Sequence, residues 1–555
     1  MRASVLGAVL SIVVAGACGR APAAGGRGGV SLVIVDARVF LGEKGRWAEA
    51  VAVAGDRIAA VGSSRDIRAL AGPATRVVDA RGGLVAPGFI DAHIHFLDGG
   101  MRLASVQLRD AATREELARR LGAFARTLPK GTWIIGGDWD HSLWGGELPR
   151  RDWIDAVTPD HPVWVTRLDG HMALANSAAL AAAGVTRRTA DVAGGTIVRD
   201  AAGQPTGVLK DNAMALVDRV VPAPTVEQQD RALAAAMDFV ARQGVTSVHN
   251  LGTFAELEVF DRAARAGKLT TRIYAAVELA AWERLRDRVA ARGRGDAWLA
   301  WGALKGFVDG SLGSHTAAFL EPYADAPADR GLLVNAPEDL YRWTSGADHA
   351  GLQVIVHAIG DRAIRLQLDV FERVARENGP RDRRFRIEHA QHIAAADIPR
   401  FAGLAVIASM QPYHCIDDGR WAEQAIGPER ARGTYAFRSL LDAGARLAFG
   451  SDWSVAPPTP IEGIYAAVTR ATLDGKRPGG WVPEQKITVE EALAAYTSGA
   501  AYAAFQEDRV GTLAPGKLAD LVVIDRDLTA VAPERLREAR VVMTIIGGRV
   551  VYQAR

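Results

Sequence analysis

Cysteine is almost absent from this chain of 555 residues, which contains only Cys18 and Cys415. Two cysteines cannot build a disulfide framework, and they cannot supply the thiolates of a cysteine-rich zinc site. Hydrophobic residues make up 49% of the sequence, which is enough for a large core and for more than one ordinary domain. The fold is therefore expected to depend on a hydrophobic core rather than on covalent cross-links.

An excess of charge of one sign is also missing. Lys and Arg number 66 and Asp and Glu number 64, so that the formal net charge is +2. This balance gives no electrostatic basis for binding nucleic acid, because such proteins carry clustered positive charge. The expected partner is a small-molecule substrate, and the sequence leaves the oligomeric state open.

The apolar run at the N-terminus, Val5 to Val14, is shorter than the roughly 20 residues that span a bilayer. With Arg2 before it and Ala15-Gly16-Ala17 after it, the run predicts a secretory signal over residues 1–18. The small residues before Cys18 also resemble a bacterial lipobox, although Ala15 stands where leucine is usual. The protein is thus expected to be exported, either as a periplasmic protein or as a lipoprotein anchored through Cys18, with residues 19–30 as a flexible tether.

Both ends of the remaining chain predict short β-strands. Ser31 to Val39, Ala50 to Val53 and Ile58 to Val61 are apolar runs near the start, and Ala519 to Ile524 and Val541 to Ile546 are similar runs near the end. Neither set is long enough for a core of its own. We therefore expect residues 31–86 and 505–555 to pair into one composite β-sandwich domain.

Between these ends, predicted strands alternate with predicted helices. One helix begins at Thr225 with Gln228 as a capping box, another begins at Pro337, and a third is capped by Thr488 and Glu491. The predicted strands begin with Leu84 to Ala86 onward and continue with those that end near His249, Val277, Val308, His357, Glu388, Ser409 and Gly450. Eight strands in this alternation predict an α/β fold, a TIM (β/α)8 barrel, over residues 87–504. Residues 97–212 are too long for a connecting loop and predict an inserted cap.

Residues that can bind metal recur at the predicted strand ends, where TIM barrels carry their active sites. They are His93, His95, Lys305, His357, His389 and Asp452. Imidazoles and carboxylates are ligands for Zn²⁺, and residues two apart in a strand face the same side. Each has an ordinary alternative, such as a core histidine, a capping aspartate or a solvated lysine. Their recurrence in one barrel favours a hydrolytic metal centre, in which Asp452 also accepts a proton from water bound to the metal.

The motifs around these residues resemble the amidohydrolase superfamily, in the amidohydrolase-3 branch that includes N-substituted formamide deformylases. The similar segments are Pro87 to His95, Lys305 with Asp309 to Ser314, His357 to Ala363, Arg386 to Gln391, Gly450 to Trp453 and Gly511 to Leu521. The resemblance implies a composite β-domain and one or two divalent metal ions, usually zinc. It also places Lys305 where many members carry a carbamylated lysine that bridges two ions. An unmodified, cationic lysine has no lone pair with which to bind a metal.

Other candidates are weaker. Asp169-Gly170-His171 in the cap resembles a branch motif, so that His171 either contacts substrate and stabilises an oxyanion or is a structural loop histidine. Gln411 to His414 could line the pocket, and His315 could reach the Lys305 motif. Asp140-His141, between Trp139 and Trp144, either shapes an aromatic surface or lies beside simple packing. Cys415 is expected to be buried and inert.

These observations favour a metal-dependent hydrolase of non-peptide carbon–nitrogen bonds, in an amide, formamide or cyclic amide. Hydroxide bound to the metal would attack the carbonyl carbon, and Asp452 would pass the proton to the leaving nitrogen. A metal-dependent esterase, lactonase or organophosphate hydrolase would use the same residues. A non-catalytic, surface-anchored binding protein on an inherited barrel is the third alternative, since fold alone does not fix function.

Overall fold

The computed structural model describes residues 29–554. The predicted signal, Cys18 and most of the predicted tether lie outside this range, so export and lipidation stay predictions. Within the described range, no helix has both the length and the apolar composition needed to cross a membrane.

Eight parallel strands form one sheet in chain order, which confirms the predicted α/β barrel. A backbone bridge between Ile94 and Trp453 connects the first strand to the segment that follows the eighth. From first to eighth, the barrel strands are Phe89–Ile94, Val245–Leu251, Arg272–Glu278, Leu299–Phe307, Gln353–Ala358, Arg386–His389, Ile407–Met410 and Leu447–Phe449.

Helices connect these strands and cover the barrel. Both predicted capping boxes are present, at Thr225 with Gln228 and at Thr488 with Glu491, and Pro337 lies in the first turn of its helix. The barrel helices are Phe96–Arg102, Val226–Ala241, Phe254–Arg265, Trp282–Arg292, Pro337–His349, Asp361–Glu377, Ile398–Gly403, Pro412–Asp418, Ala422–Ala431, Phe437–Asp442, Pro460–Thr469, Val489–Ala494 and Ala500–Ala503.

The prediction for the first barrel strand was wrong at its start. Leu84–Pro87 is a separate strand that pairs with Arg38–Phe40 and with Leu521–Ile524, outside the barrel. The barrel strand begins only after Gly88. A Cβ atom at Gly88 would lie 2.2 Å from a methyl carbon of Thr246, so only glycine fits this close crossing. The chain therefore passes from one sheet to the other at Gly88.

Strands from both ends of the chain share two sheets beside the barrel. The four-stranded sheet has the order Arg57–Gly62, Ala50–Ala54, Leu32–Val35 and Arg76–Asp79. The six-stranded sheet has the order Arg549–Gln553, Val541–Ile546, Leu521–Ile524, Leu84–Pro87, Arg38–Phe40 and Trp47–Ala48. Ile34 and Val51 from the first sheet lie in one buried cluster with Val523 and Met543 from the second. The two ends of the chain thus depend on each other for a core.

A buried ion pair joins this β-structure to the barrel. Arg272, which begins the third barrel strand, donates to both carboxylate oxygens of Asp520 at 2.5 and 2.9 Å. Both side chains are less than 5% exposed. Arg272→Met is expected to cost about 3–5 kcal/mol of unfolding free energy, because it leaves a buried carboxylate without its cation. Chemical denaturation measures this loss.

The matched control is Arg46→Met, which removes an exposed pair with Glu43 and should cost no more than about 1 kcal/mol. Equal losses in the two variants would show that the Arg272 pair does not hold the sheets together.

The insertion after the first barrel strand has a mixed six-stranded sheet and a core of its own. Its strands, in spatial order, are Gly195–Arg199, Pro205–Asp211, Met172–Ala175, Val163–Arg167, Ile134–Trp139 and Val106–Gln107. Its two main helices are Arg114–Ala125 and Ser177–Ala183. The Nζ atom of Lys210 in this sheet donates to the Ser314 carbonyl in the loop after the fourth barrel strand, at 2.9 Å. The insertion therefore covers the carboxyl end of the barrel.

Candidate metal centre

A cavity of about 280 Å³ lies between the insertion and the carboxyl ends of the barrel strands. Five of the six predicted metal-binding residues line it, together with His171; these are His95, Lys305, His357, His389 and Asp452. The sixth, His93, lies fully buried against them. The structure thus brings together all six predicted metal-binding residues and His171.

His93, His95 and Asp452 converge at the point where the barrel closes. The Asp452 amide donates to the His93 carbonyl at 2.7 Å, and the His95 amide donates to the Trp453 carbonyl at 2.7 Å. This pairing brings Asp452 Oδ1 to 3.3 Å from His93 Nε2 and to 3.2 Å from His95 Nε2. The three donor atoms therefore face a common point.

Two atoms of this cluster are buried without a hydrogen-bond partner among residues 29–554. They are His93 Nε2 and Asp452 Oδ1, whose 3.3 Å separation lacks hydrogen-bonding geometry. Leaving such groups unpaired in the interior costs about 1–3 kcal/mol each, so they are expected to have another partner. A divalent cation fits, because a neutral imidazole nitrogen and a carboxylate oxygen are both metal ligands.

Glu388 holds His93 in the orientation that ligation requires. Its Oε2 lies 2.6 Å from His93 Nδ1, and its Oε1 accepts from Arg386 Nε at 2.8 Å. Burial would raise the pKa of Glu388, but Arg386, His93 and Lys305 lower it to about 2. An ionised Glu388 accepts a hydrogen bond from Nδ1–H and leaves the Nε2 lone pair directed at the cluster. This role was not predicted from the sequence, although Glu388 stands two residues from Arg386 on the same face of one strand.

Glu388→Gln is expected to weaken ion binding about tenfold to a hundredfold, since histidine ligands depend on such carboxylate partners. Competition with a metal chelator measures the affinity. Glu377→Gln, at an exposed glutamate that pairs with Arg373, is the control and should leave the affinity unchanged. If the affinity of Glu388→Gln for the ion is unaltered, Glu388 does not orient His93 for ligation.

His357 and His389 form a second pair beside the first cluster, with ring centroids 4.5 Å apart. His357 Nε2 lies 3.0 Å from the Gly310 carbonyl oxygen, and His389 Nδ1 lies 2.9 Å from the Gln411 side-chain oxygen. A carbonyl oxygen can only accept, so each imidazole donates through that nitrogen and keeps a lone pair on the other. Both histidines are therefore in the tautomer that a metal ligand needs.

Lys305 lies in the same cavity and is 5% exposed. Burial lowers the pKa of Lys305 to about 8, although Glu388 and Asp452 oppose the shift. A larger fraction of the amine is therefore neutral near physiological pH than in an ordinary lysine. A neutral amine is the form that can react with carbon dioxide to give a carbamate, whose oxygens are metal ligands.

His171 enters the cavity from the insertion, with its ring 5.0 Å from that of His357. Its Nδ1 lies 2.7 Å from Asp211 Oδ1. Burial would lower the pKa of His171, but Asp211, Asp169 and Asp309 raise it overall. Asp211 was not predicted from the sequence, because it lies 40 residues from His171, at the end of another strand of the insertion. His171 is thus a hydrogen-bond donor held by a carboxylate.

A model of the amidohydrolase family matches residues 76–552. The chain belongs to this family.

Two relatives match this chain along most of their length. The chain is 41% identical to Protein LONG AFTER FAR-RED 3 of Arabidopsis thaliana, covering 94% of this chain and 91% of that one. It is 30% identical to N-substituted formamide deformylase of Arthrobacter pascens, covering 94% and 98%. A solved structure, an uncharacterized metal-dependent hydrolase from Pyrococcus horikoshii, aligns with a TM-score of 0.73 at 29% identity, covering 91% and 99%. Family membership and this likeness identify the protein as a hydrolase.

The remaining candidates in this amidohydrolase have different surroundings. His315 was expected to reach the Lys305 motif, but it lines a second cavity and not the one that Lys305 lines. Its backbone is in the left-handed region, and its ring stacks on Tyr323 at 4.4 Å. Trp139 is buried in the core of the insertion, and Trp144 packs against Trp153, so both serve packing. Cys415 is buried, and burial raises the pKa of its thiol to about 11, as expected for an inert cysteine.

A charged wall of the cavity was not predicted as a unit, although Asp140 and Asp169 were among the sequence candidates. Asp140 lies in it, 3.5 Å from Arg167 and 3.4 Å from Arg420, and Arg167 also pairs with Asp169 at 2.6 Å. These residues belong to the insertion and to the segment after the seventh strand, so only the folded chain brings them together.

Proposed function

We propose that this amidohydrolase cleaves a non-peptide carbon–nitrogen bond in an amide, a formamide or a cyclic amide, and that its cofactor is one or two zinc ions. The proposal depends chiefly on the unpaired His93 Nε2 and Asp452 Oδ1 atoms, which converge with His95 at the wall of the cavity. The similarity to a formamide deformylase along 94% of the chain supports the choice of bond.

In this proposal, His93, His95 and Asp452 would hold one ion, and His357, His389 and a carbamylated Lys305 would hold a second. Imidazole and carboxylate donors without thiolates are typical of catalytic zinc sites. A bound zinc ion polarises a carbonyl oxygen and lowers the pKa of water beside it from about 15.7 to about 7.

Asp452 is the proposed general base and acid. One of its oxygens lies close to His93 and His95, and the side chain also lines the cavity, so that it can reach both water and substrate. It accepts the proton of the attacking water and passes it to the leaving nitrogen. Nitrogen is a poor leaving group until it is protonated, so this transfer allows the bond to break.

His171 is the proposed electrophilic partner. It donates a hydrogen bond from Nε2 to the carbonyl oxygen, where negative charge develops as the carbon becomes tetrahedral. Asp211 fixes the ring through Nδ1 and stabilises positive charge on it. Together, Asp452 and His171 would act on the two sides of the scissile bond.

A substrate panel tests this proposal. Protein lacking residues 1–28 is loaded with zinc and offered formamides, acetamides, cyclic amides and esters with matched substituents. Hydrolysis of at least one amide class, lost on chelation and restored by zinc, is the expected result. Hydrolysis of esters alone would overturn the choice of bond, and tight zinc binding without any hydrolysis would favour a binding protein.

A further inference from the structure

His414 lines the reaction cavity and is 8% exposed. Its Nε2 atom is buried and has no hydrogen-bond partner within residues 29–554. The proposed chemistry leaves this histidine without a role. An unpaired polar atom at a cavity wall is costly to bury, and a bound substrate that pairs with it removes the cost.

The segment that carries His414 is held firmly. Gln411, directly after the seventh barrel strand, accepts from His389 Nδ1 at 2.9 Å, and its carbonyl accepts from the His414 amide at 3.1 Å. Pro412 then begins the helix Pro412–Asp418. The ring of His414 lies parallel to that of His389, with centroids 6.4 Å apart. The backbone at His414 is therefore held beside the cavity.

His414 lies on the side of Asp452 that also faces His389. One donor atom each from His414, His389 and Asp452 lie within 4.8 Å of one another. The Nε2 atoms of His93 and His95 both lie near the Oδ1 atom of Asp452. If Asp452 protonates the leaving atom, that atom must come within hydrogen-bonding distance of it, and His414 is then a neighbour of the leaving atom.

The leaving atom differs among the possible substrates. A secondary amide or formamide carries an N–H group there, whereas an ester oxygen and a tertiary amide nitrogen carry no hydrogen. A neutral imidazole has one nitrogen that accepts a hydrogen bond. A site built to pair with N–H discriminates against analogues that lack it, because its own polar group then stays buried and unpaired.

We propose that His414 accepts a hydrogen bond from the N–H of the scissile bond, and that the substrates are therefore secondary amides or formamides. This inference rests on the proposed function, and it identifies His414 as a residue that determines specificity. It also distinguishes the amide and ester alternatives that the sequence left open.

Three formyl compounds with one phenyl substituent test the inference: formanilide, N-methylformanilide and phenyl formate. Each is assayed with wild-type protein and with His414→Leu, after subtraction of spontaneous hydrolysis. We expect kcat/KM for formanilide to fall about tenfold to a hundredfold in His414→Leu, with changes below about threefold for the other two compounds. His414→Asn keeps a hydrogen-bonding side chain and should recover part of the loss for formanilide.

An equal loss for all three compounds, or no loss for formanilide, would overturn the inference. Each comparison uses one preparation of a variant, so incomplete folding lowers all three rates together and leaves their ratio unchanged. If His414→Leu does not fold, His414→Phe, which also lacks a hydrogen-bond acceptor, gives the same comparison. His315→Leu, at a histidine outside this cavity, is the control and should leave the ratio at its wild-type value. If zinc-loaded wild-type protein hydrolyses no amide of the wider panel, the proposed function itself fails.

Discussion

Asp452→Asn is expected to lower kcat by roughly 10²- to 10⁴-fold while the protein keeps its bound ion. Asparagine has nearly the same size and keeps an oxygen that can ligate a metal, but it cannot accept and return a proton. Steady-state kinetics and elemental analysis on one preparation separate the two effects. Activity close to wild type would exclude Asp452 as the proton carrier, whereas loss of the ion with the activity would restrict it to ligation.

Asp325→Asn is the matched control for this substitution. Asp325 lies near His315 beside the second cavity, away from the cluster that contains Asp452. The same change of a carboxylate to an amide at this position should leave both kcat and the metal content unchanged.

Lys305→Ala is expected to reduce the bound zinc from about two ions per chain to about one and to lower kcat by roughly 100-fold or more, equivalent to about 3 kcal/mol of the barrier. The reason is that a carbamylated Lys305 would help to hold the second ion. A short carboxylic acid such as acetate should enter the space that the side chain vacates and restore part of the activity. Zinc content and kcat, each measured with and without acetate, check this.

Lys210→Ala is the control, at a half-buried lysine of the insertion that lines the second cavity. It should keep its zinc and show no response to acetate. If Lys305→Ala keeps both ions and most of its activity, Lys305 is a structural or substrate-binding residue, and its role as a metal ligand is excluded.

The positions of the metal-binding candidates could be predicted because each follows an apolar strand. In a barrel, the carboxyl ends of all strands meet at one face, so residues such as His93, His357 and Asp452 come together whatever the details of the connections. The first strand was misplaced because Leu84–Ala86 is as apolar as a barrel strand. Its true partners lie 46 and 434–440 residues away among the terminal strands, and this pairing depends on the turn at Gly88.

The groups that orient the candidates could not be predicted from spacing along the chain. Glu388 reaches His93 across 295 residues, and Asp211 reaches His171 across the sheet of the insertion. These contacts depend on the register of neighbouring strands, which no local pattern specifies. His315 shows the opposite case, because proximity to Lys305 in sequence did not bring it into the cavity. Its ring instead stacks on Tyr323 beside the second cavity.

The metal content of purified protein lacking residues 1–28 shows directly whether the proposed site holds zinc. Elemental analysis gives the ions per chain, and native mass spectrometry followed by peptide mapping shows whether Lys305 carries a carbamate. We expect about two zinc ions per chain and a carbamylated Lys305, and we expect His93→Ala to lose zinc. Protein that binds no divalent ion, even after reconstitution, would contradict the proposed metal centre.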